Sequence, residues 1–298
     1  MFSSIVENVD IWRIPLETNG AGGPAPLEKV TDDAAVDQMM NATRDGTVIV
    51  FISDRTKRDE VWLRDMTTGR ERQLTFDGAV FARISPDGTR VAVVRSGPRR
   101  SLEIVPSTGG AATKICEDCH VDDWFPDGSQ LLLHHGQPGD SKALYVHDLE
   151  GGHETTLTRH PIWNLYRGRV SPDANWVVFN TANSATLRQV YAVPAAGPVR
   201  VPEDRWVPVV ADFGIQPSWS PDGRGIYHFS HRDGSFCGWV QLLDRATAKP
   251  LGEPRVVQHL HEPRLRAVSG AIVNNDVRGN HWYVTLTETT GNLWMLRE

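Results

Sequence analysis

The sequence lacks the features that mark several large functional classes. It has three cysteines in 298 residues, too few for a disulfide framework. No run of Lys and Arg forms a basic stripe and the formal net charge is −6, so we expect no nucleic-acid partner. No apolar run approaches the ~18 residues of a membrane span, so we expect no membrane partner either. No long segment shows helical periodicity.

The N-terminus also lacks the basic and apolar regions of a secretory signal. As written, the chain is therefore expected to be soluble and cytoplasmic, and it would be periplasmic if an upstream segment is missing. Apolar residues make up 40% of the chain and include ten tryptophans, enough for a sizeable core. The acidic balance is compatible with cations, peptides or neutral ligands.

One turn motif recurs along the chain and ends four strand-like runs. Its prolines lie 40, 46 and 49 residues apart. Weaker copies occupy Arg44-Asp45-Gly46 and Arg278-Gly279-Asn280. A period of 40 to 50 residues with short strands is typical of propeller blades. The four full copies are Ser85-Pro86-Asp87-Gly88, Phe125-Pro126-Asp127-Gly128, Ser171-Pro172-Asp173-Ala174 and Ser220-Pro221-Asp222-Gly223.

The residues of this motif are those that a hairpin turn requires. Proline pre-sets φ at the second position, aspartate bonds nearby backbone, and glycine accepts the left-handed conformation that follows. We therefore interpret the aspartates as hairpin residues rather than as metal ligands.

Each unit predicts four strands, so the fold class is all-β: a single β-propeller of four-stranded antiparallel blades. The number of turns predicts six blades, with seven as the alternative, and we expect strands from the N- and C-termini to close the ring. We expect the last unit to stop after its third strand, Leu293 to Leu296, and the segment from Leu27 to Thr31 to supply its fourth. Residues 1–16 then form a further partial unit. The predicted single domain covers 1–298, with closure strands in 1–31 and repeats in 32–298.

The turns, the segment Pro217-Ser218-Trp219 and the Leu-Thr edge strands together resemble the TolB-like, WD40-like bacterial propeller repeats. The resemblance covers nearly all of the chain. It implies a module that binds protein partners, and similar repeats occur in bacterial signalling proteins and in the gating domain of prolyl oligopeptidases. The sequence contains no Gly-x-Ser-x-Gly nucleophile elbow, and the blades leave no room for a hydrolase domain.

Polar residues cluster in the loops that lead into the innermost strands, where propellers usually bind ligands. Carboxylates from several blades meeting at one axis would suit calcium, and a solvated acidic rim is the alternative. The sequence requires no cofactor, and calcium is a candidate. The predicted channel-binding residues are Asp37, Asp77, Asn164, Asp212 and Gln216, and the predicted metal ligands are Asp37, Asp77, Asp122 and Asp212.

Two functions remain open at this stage, and so does the question of whether the chain is an enzyme. The first is a binding or sensing module that presents channel and face loops to a protein, peptide or small ligand, with a monomer as the expected state. The second is a calcium-dependent hydrolase of lactones or related esters with its site in the channel. Its catalytic general base would come from His120 with Asp122, or from His261 with Glu262.

The segment Cys116-Glu117-Asp118-Cys119-His120 matches the attachment pattern of c-type haem. Zinc, completed by His134 or His135, and a redox pair are further alternatives. The absence of an export signal argues against haem, and we favour ordinary loop cysteines. Cys237 is interpreted as a strand-packing residue.

Overall fold

The computed structural model describes residues 2–16, 26–136, 141–182, 188–195, 200–262, 264–267 and 274–294. In these ranges the chain forms six antiparallel sheets arranged as propeller blades, which confirms the predicted all-β fold with six blades rather than seven. A single 3-10 turn, Glu203–Arg205, is the helical element within them. None of the described segments forms a helix long and apolar enough to cross a membrane.

The strands are short, apart from one at each end of the chain. In chain order they are β1 (Phe2–Pro15), β2 (Glu28–Lys29), β3 (Asp37–Ala42), β4 (Val48–Ser53), β5 (Glu60–Asp65), β6 (Glu71–Gln73), β7 (Ala79–Ile84), β8 (Arg90–Arg95), β9 (Ser101–Pro106), β10 (Thr113–Glu117), β11 (Cys119–Trp124), β12 (Gln130–His135), β13 (Ala143–Asp148), β14 (Glu154–Arg159), β15 (Asn164–Val170), β16 (Trp176–Ala182), β17 (Arg188–Pro194), β18 (Val207–Val210), β19 (Ile215–Trp219), β20 (Gly225–Ser230), β21 (Cys237–Leu242), β22 (Arg255–His259), β23 (Leu265–Arg266), β24 (Asn275–Arg278) and β25 (His281–Trp294).

Five blades are meanders of four consecutive strands, each running outward from an innermost strand. Blade 1 contains β3 to β6, blade 2 contains β7 to β10, blade 3 contains β11 to β14, blade 4 contains β15 to β18, and blade 5 contains β19 to β22. The innermost strands are therefore β3, β7, β11, β15 and β19.

Blade 6 combines both ends of the chain. β24 is innermost and pairs with β25, β1 pairs with β25 along its whole length, and β2 pairs with β1. Phe2 lies opposite Trp294, and Pro15 lies opposite His281. The ring is thus closed by strands from both termini, as the sequence predicted, and β23 pairs with the far part of β25.

The prediction of a separate third strand beginning at Leu293 is wrong. Leu293 and Trp294 continue β25 past the turn-forming pair Gly291-Asn292, because β1 pairs with this strand as far as Trp294. The third-strand position belongs to β1, which we had assigned to a further partial unit, and β2 lies in the predicted fourth strand. Residues 295–298 lie outside the described ranges.

The turn aspartates act as hairpin residues. Asp87 Oδ1 accepts a hydrogen bond of 3.1 Å from the Thr89 backbone N–H, and Asp127 Oδ1 accepts one of 3.0 Å from Ser129. Three turns end with a left-handed glycine, whereas the third full copy of the motif places Ala174 there with φ 58°. An alanine tolerates this conformation poorly, so Ala174 marks a strained turn.

The core lies between neighbouring blades. Val50 and Ile52 of blade 1 pack into one cluster with Ala82 and Val93 of blade 2. Close approach is tightest at Gly238, where an added Cβ would lie 2.1 Å from the ring of Trp282. Glycine is therefore required there for blade 6 to pack against blade 5.

Candidate functional site in the central channel

Six polar side chains occupy equivalent positions around the channel. Each lies two residues before the start of its hairpin turn, one per blade, and none is more than 4% exposed. Burial of polar groups is costly unless they are hydrogen-bonded, so the partners of these residues determine how the centre of the molecule is built. We call this set the channel ring: Asn41, Arg83, Asp123, Arg169, Ser218 and Asp276.

Four members of the channel ring connect their blade to the next by accepting a hydrogen bond from a backbone N–H. The donor each time is the residue that follows the ring position in the neighbouring blade. These acceptor latches pair a buried side-chain acceptor with a buried backbone donor, so neither group is left without a hydrogen bond. They are Asn41 with Ile84 (2.9 Å), Asp123 with Val170 (3.0 Å), Ser218 with Val277 (3.0 Å) and Asp276 with Ala42 (3.0 Å).

The other two members are arginines, which cannot accept a hydrogen bond through their side chains. At these junctions the next blade supplies a tryptophan whose indole donates to the arginine backbone. Trp124 Nε1 lies 2.9 Å from the Arg83 carbonyl oxygen, and Trp219 Nε1 lies 3.0 Å from that of Arg169. These arginine–tryptophan latches release the two guanidinium groups for other contacts.

Both guanidinium groups extend to the same backbone carbonyl, that of Asp122. Arg83 Nε donates over 3.1 Å and Arg169 Nη1 over 2.7 Å. The Arg83 guanidinium also lies 4.7 Å from the centre of the Phe81 ring. Arg83 Nη1 and Nη2 and Arg169 Nε are buried and have no hydrogen-bond partner among the described residues.

The nearby carboxylates are already engaged. Asp122 accepts from His134 Nδ1 at 2.7 Å and from the Gly168 N–H at 3.2 Å. Burial alone would raise the pKa of Asp122, but His134, His120 and Arg169 together outweigh it and the pKa is lowered. Asp276 accepts from Asn41 Nδ2 at 2.6 Å and pairs with Arg278 at 3.3 Å.

The electrostatic situation of Arg83 is unfavourable as it stands. Burial and the neighbouring Arg169 both push the pKa of Arg83 well below its usual value. The carboxylates of Asp276 and Asp123 act in the opposite direction but do not outweigh these two effects. A guanidinium stays protonated in proteins, so Arg83 is a buried cation. A buried cation of this kind calls for an anion.

A third arginine approaches the channel from the side opposite the hairpin turns. Arg167 adopts the left-handed conformation with φ 56°, and burial together with Arg169 lowers its pKa to about 10. Its guanidinium lies 3.9 Å from Met39 Sδ and 5.6 Å from the Phe81 ring centre. Met39 and Gln216, two residues before the ring position in their own blades, have positive φ as well. Strained non-glycine backbone of this kind is concentrated at functional sites.

The hairpin turns surround a cavity of about 130 Å³ at the other mouth of the channel. Two further arginines, Arg44 and Arg278, line the cavity together with Asp123. Asp123 Oδ1 lies 3.9 Å from Arg278 Nη2. The repeated motif therefore also shapes a funnel, whose rim is formed by the turn prolines Pro86, Pro126, Pro172 and Pro221.

The predicted loop residues lie apart and have local partners. Asp37 is buried against Arg55 at 3.0 Å, Asp212 pairs with Arg232 at 3.3 Å, and Asn164 accepts from Lys142 Nζ at 2.6 Å. Asp77 is exposed beside the outer strand β6. Asp37 and Asn164 are the first residues of the innermost strands β3 and β15, whereas Gln216 lies two residues before the ring position Ser218 on β19.

The two predicted general-base pairs have different surroundings. Asp122 bonds to His134, while His120 Nδ1 lies 2.9 Å from the Val121 carbonyl oxygen and its ring stacks on His134. Burial and His134 push the pKa of His120 well below its usual value. His261 and Glu262 are exposed and follow β22, the outermost strand of blade 5, so they lie far from the innermost strand β19.

The interpretation of Cys116 and Cys119 as ordinary loop cysteines is wrong, because they form a disulfide. Asp118 between them has φ 51°, which turns the chain from β10 into β11 and brings the two sulfurs together. In this form neither sulfur is a thiolate ligand for zinc or a thiol for haem attachment. Cys237 is buried in β21, as its packing role predicted.

Sequence reasoning missed the arginines because it looked for metal ligands in the loops. A signal was available: aligning the repeats on their turns places Arg83 and Arg169 at the same position as Asp123 and Asp276. A position that holds a cation in some repeats and an acceptor in others indicates contacts between blades.

Comparison of the sequence with known proteins assigns no family. No protein-family model matches the chain. A segment of 119 residues is 29% identical to the uncharacterized protein Atu1656 of Agrobacterium fabrum, covering 38% of this chain and 39% of that protein. This match is too short and too distant to assign a family.

Solved structures decide the architecture. Putative TolB from Agrobacterium tumefaciens superposes with a TM-score of 0.71 over 95% of this chain and 99% of its own, at 17% identity. The fold is that of a TolB-like β-propeller. TolB from Acinetobacter baumannii gives a TM-score of 0.63 at 18% identity, where the match covers 83% of this TolB-like propeller and 65% of that longer chain.

Proposed function

We propose that this TolB-like propeller is a binding module whose central channel takes an anionic group, with a carboxylate as the preferred chemistry. One observation carries this function: Arg83 is fully buried at the channel, and its Nη1 and Nη2 atoms lack partners among the described residues. An anion there would satisfy both N–H groups and compensate the charge.

The geometry of the donors favours a planar oxyanion. A guanidinium offers two parallel N–H groups that match the two oxygens of a carboxylate, and charge-assisted pairs of this type are about twice as strong as neutral hydrogen bonds. Arg169 Nε is a further buried donor beside Arg83. Because the site is buried, little water screens the attraction.

Further arginines flank the buried pair Arg83 and Arg169 on both sides of the channel. Arg167 lies on the side away from the turns, and Arg44 and Arg278 line the cavity on the turn side. An acidic side chain or a C-terminal carboxylate of a peptide, or a small carboxylic acid, could contact either set first. Such a ligand falls within the protein, peptide or small-molecule class expected of the module.

Calorimetry with citrate tests the function, with inorganic phosphate as a second anion. We expect saturable citrate binding, which weakens at least about tenfold in Arg83→Met because two charge-assisted hydrogen bonds are lost. Arg255→Gln is the matched control, since Arg255 is exposed on the outer strand β22, and it should bind as the wild type does. Equal binding by wild type and Arg83→Met would contradict the proposal and mean that the channel arginines have only a structural role.

The calcium-dependent hydrolase stays a second candidate on one observation. Asp122 holds His134 by its Nδ1 atom, and His134 Nε2 has no partner in the part of the chain that the structure describes. A carboxylate-oriented imidazole is a possible general base. Calorimetry with calcium on metal-free protein, followed by a lactone hydrolysis screen, tests it: calcium-dependent turnover lost in His134→Gln supports it, and no turnover removes it.

The proposed domain extends over residues 1–298, with closure strands in 1–31 and repeats in 32–298. Limited proteolysis tests this division. A single resistant core that contains both ends of the chain is expected, because blade 6 joins them.

A further inference from the structure

We propose that Cys237, His259 and His261, together with Asp233, form a zinc-binding site on the outer part of blade 5. One ligand atom from each of the first three residues lies within 4.8 Å of those of the other two. The site uses the one cysteine that is not in the disulfide. It lies on the outer strands, away from the channel, and does not depend on anion binding there.

Strand pairing brings the three residues together. Cys237 on β21 lies directly opposite His259 on β22, and Cys237 Sγ is 3.3 Å from His259 Nδ1. His261 follows two residues later, and its ring centre lies 5.3 Å from that of His259. Residues two apart on an extended segment point to the same side, so both imidazoles can approach the sulfur.

Asp233 supplies a fourth group. It lies in the loop that precedes β21, and its Oδ2 atom is 3.8 Å from His259 Nδ1. The loop therefore places a carboxylate beside the sulfur and the first imidazole. Thiolate, imidazole and carboxylate are the three ligand types that zinc uses in proteins.

The distances fit a tetrahedral ion after small side-chain movements. Zinc bonds of about 2.3 Å to sulfur and about 2.0 to 2.1 Å to nitrogen imply ligand–ligand separations of about 3.3 to 3.6 Å. The Cys237 Sγ–His259 Nδ1 contact of 3.3 Å is slightly shorter than the ~3.6 Å that this geometry gives a sulfur–nitrogen pair, so a small outward shift of the imidazole would admit the ion. The His259 side chain is 56% exposed, so the rotation that closes the remaining gaps meets little resistance.

The position of the sulfur distinguishes this group from an ordinary surface histidine pair. Cys237 is 0% exposed, so its sulfur lies at the bottom of the site, and the exposed imidazoles of His259 and His261 lie on the solvent side. The site joins the third and fourth strands of blade 5 to the loop between its second and third strands. A bound ion would therefore stabilise the outer edge of the blade.

Titration of the full-length chain with Co²⁺ as a spectroscopic substitute for zinc tests the proposal. We expect one ion per chain, with the intense thiolate-to-cobalt charge-transfer absorption of a sulfur ligand and the visible bands of a tetrahedral ion. Zinc should displace the cobalt and abolish both signals. The Cys116→Ser/Cys119→Ser double variant should keep the signals, because Cys237 is then the one remaining thiol.

Single substitutions assign the ligands. Cys237→Ser should lose the charge-transfer absorption, and His261→Gln and Asp233→Asn should each weaken cobalt binding by about tenfold or more. His231→Gln is the matched control, since His231 is an exposed histidine of the same blade outside the group. It should bind as the wild type does.

Two results would overturn the proposal: no charge-transfer absorption in the wild type, or stoichiometric binding that persists unchanged in Cys237→Ser. If Cys237→Ser fails to fold, the exposed variants His261→Gln and Asp233→Asn decide the question. Unchanged cobalt affinity in both of them would equally exclude the site.

Discussion

The six blades meet at the channel through two kinds of contact, and the difference between them separates folding from function. At four junctions a side-chain acceptor takes a backbone N–H of the next blade, as Ser218 does from Val277. At two junctions an arginine stands there instead, and a tryptophan of the next blade bonds its backbone. The acceptor latches bind backbone N–H groups with their side chains, whereas Arg83 and Arg169 at the arginine–tryptophan latches keep buried N–H groups without a partner among the described residues. Those N–H groups are the donors that the proposed anion site would use.

Asp276→Ala should have the largest effect on this arrangement. Asp276 is 0% exposed and holds Ala42, Asn41 and Arg278, so its loss leaves several buried groups unpaired. We expect the free energy of unfolding to fall by about 3 to 5 kcal/mol, as measured by urea denaturation. Ser218→Ala, which breaks a neutral acceptor latch, is the comparison and should cost about 1 kcal/mol. Equal losses would mean that charge at the ring position is irrelevant.

Trp124→Phe tests the other kind of latch. Phenylalanine keeps most of the packing but cannot donate the indole hydrogen bond to the Arg83 carbonyl oxygen. We expect a loss of about 1 to 2 kcal/mol in the free energy of unfolding, measured in the same urea titration. Trp219→Phe should behave alike at the Arg169 junction. A negligible change in both would show that packing alone holds these junctions.

Acid should distinguish a charged acceptor latch from a neutral one. Burial raises the pKa of Asp276, but Arg278, Arg169, Arg83 and the Ala42 N–H together outweigh it, so the pKa of Asp276 in the folded state is lowered from its usual value. The stabilisation by the carboxylate is therefore complete above the unfolded-state pKa and is lost as the pH falls through the folded value. Below about pH 4, wild type should lose stability faster than Asp276→Asn, and Ser218→Ala should follow wild type. Parallel curves for all three proteins would contradict the assignment.

Arg83→Met should have the smallest effect on stability and the largest on binding. Its Nη atoms lack partners among the residues that the structure describes, and Arg169 still donates to the Asp122 carbonyl oxygen after the change. Removing a poorly compensated buried cation should leave the free energy of unfolding within about 1 kcal/mol of wild type or raise it. Thermal unfolding in the presence and absence of citrate measures both properties in one experiment. A large loss of stability would mean that the arginine is structural.

The blades could be predicted from sequence because their turns are encoded locally. Pro86, Asp87 and Gly88 specify a hairpin through their own backbone preferences, whatever surrounds them. The position of β1 in blade 6 could not be assigned in the same way, because pairing between residues 2–15 and 281–294 is set by ring closure. The aromatic Trp294 matched the repeat pattern but lies on a continuing strand.

The candidate site was harder to predict, since its residues act across blades. Asp37 is the first residue of β3 and Asp212 lies in the loop before β19, but Arg55 and Arg232, about 20 residues further along the chain, pair with them. Arg83 looked like an ordinary strand residue, because nothing near it in sequence shows that Asp122 and Trp124 lie beside it. The zinc group depends in the same way on the pairing of β21 with β22.

The two kinds of latch also constrain how such a ring can evolve. Repeat proteins change size by duplicating or deleting a unit, which succeeds when any unit can follow any other. Here the unit that follows Arg83 has to carry a tryptophan, and the unit that follows Asn41 offers its backbone N–H to an acceptor. A duplicated blade 2 would place Ile84 where Trp124 is needed. A duplicated or deleted blade would therefore lose a latch at the new junction, so blade order in this ring is coupled to the residue at each channel-ring position.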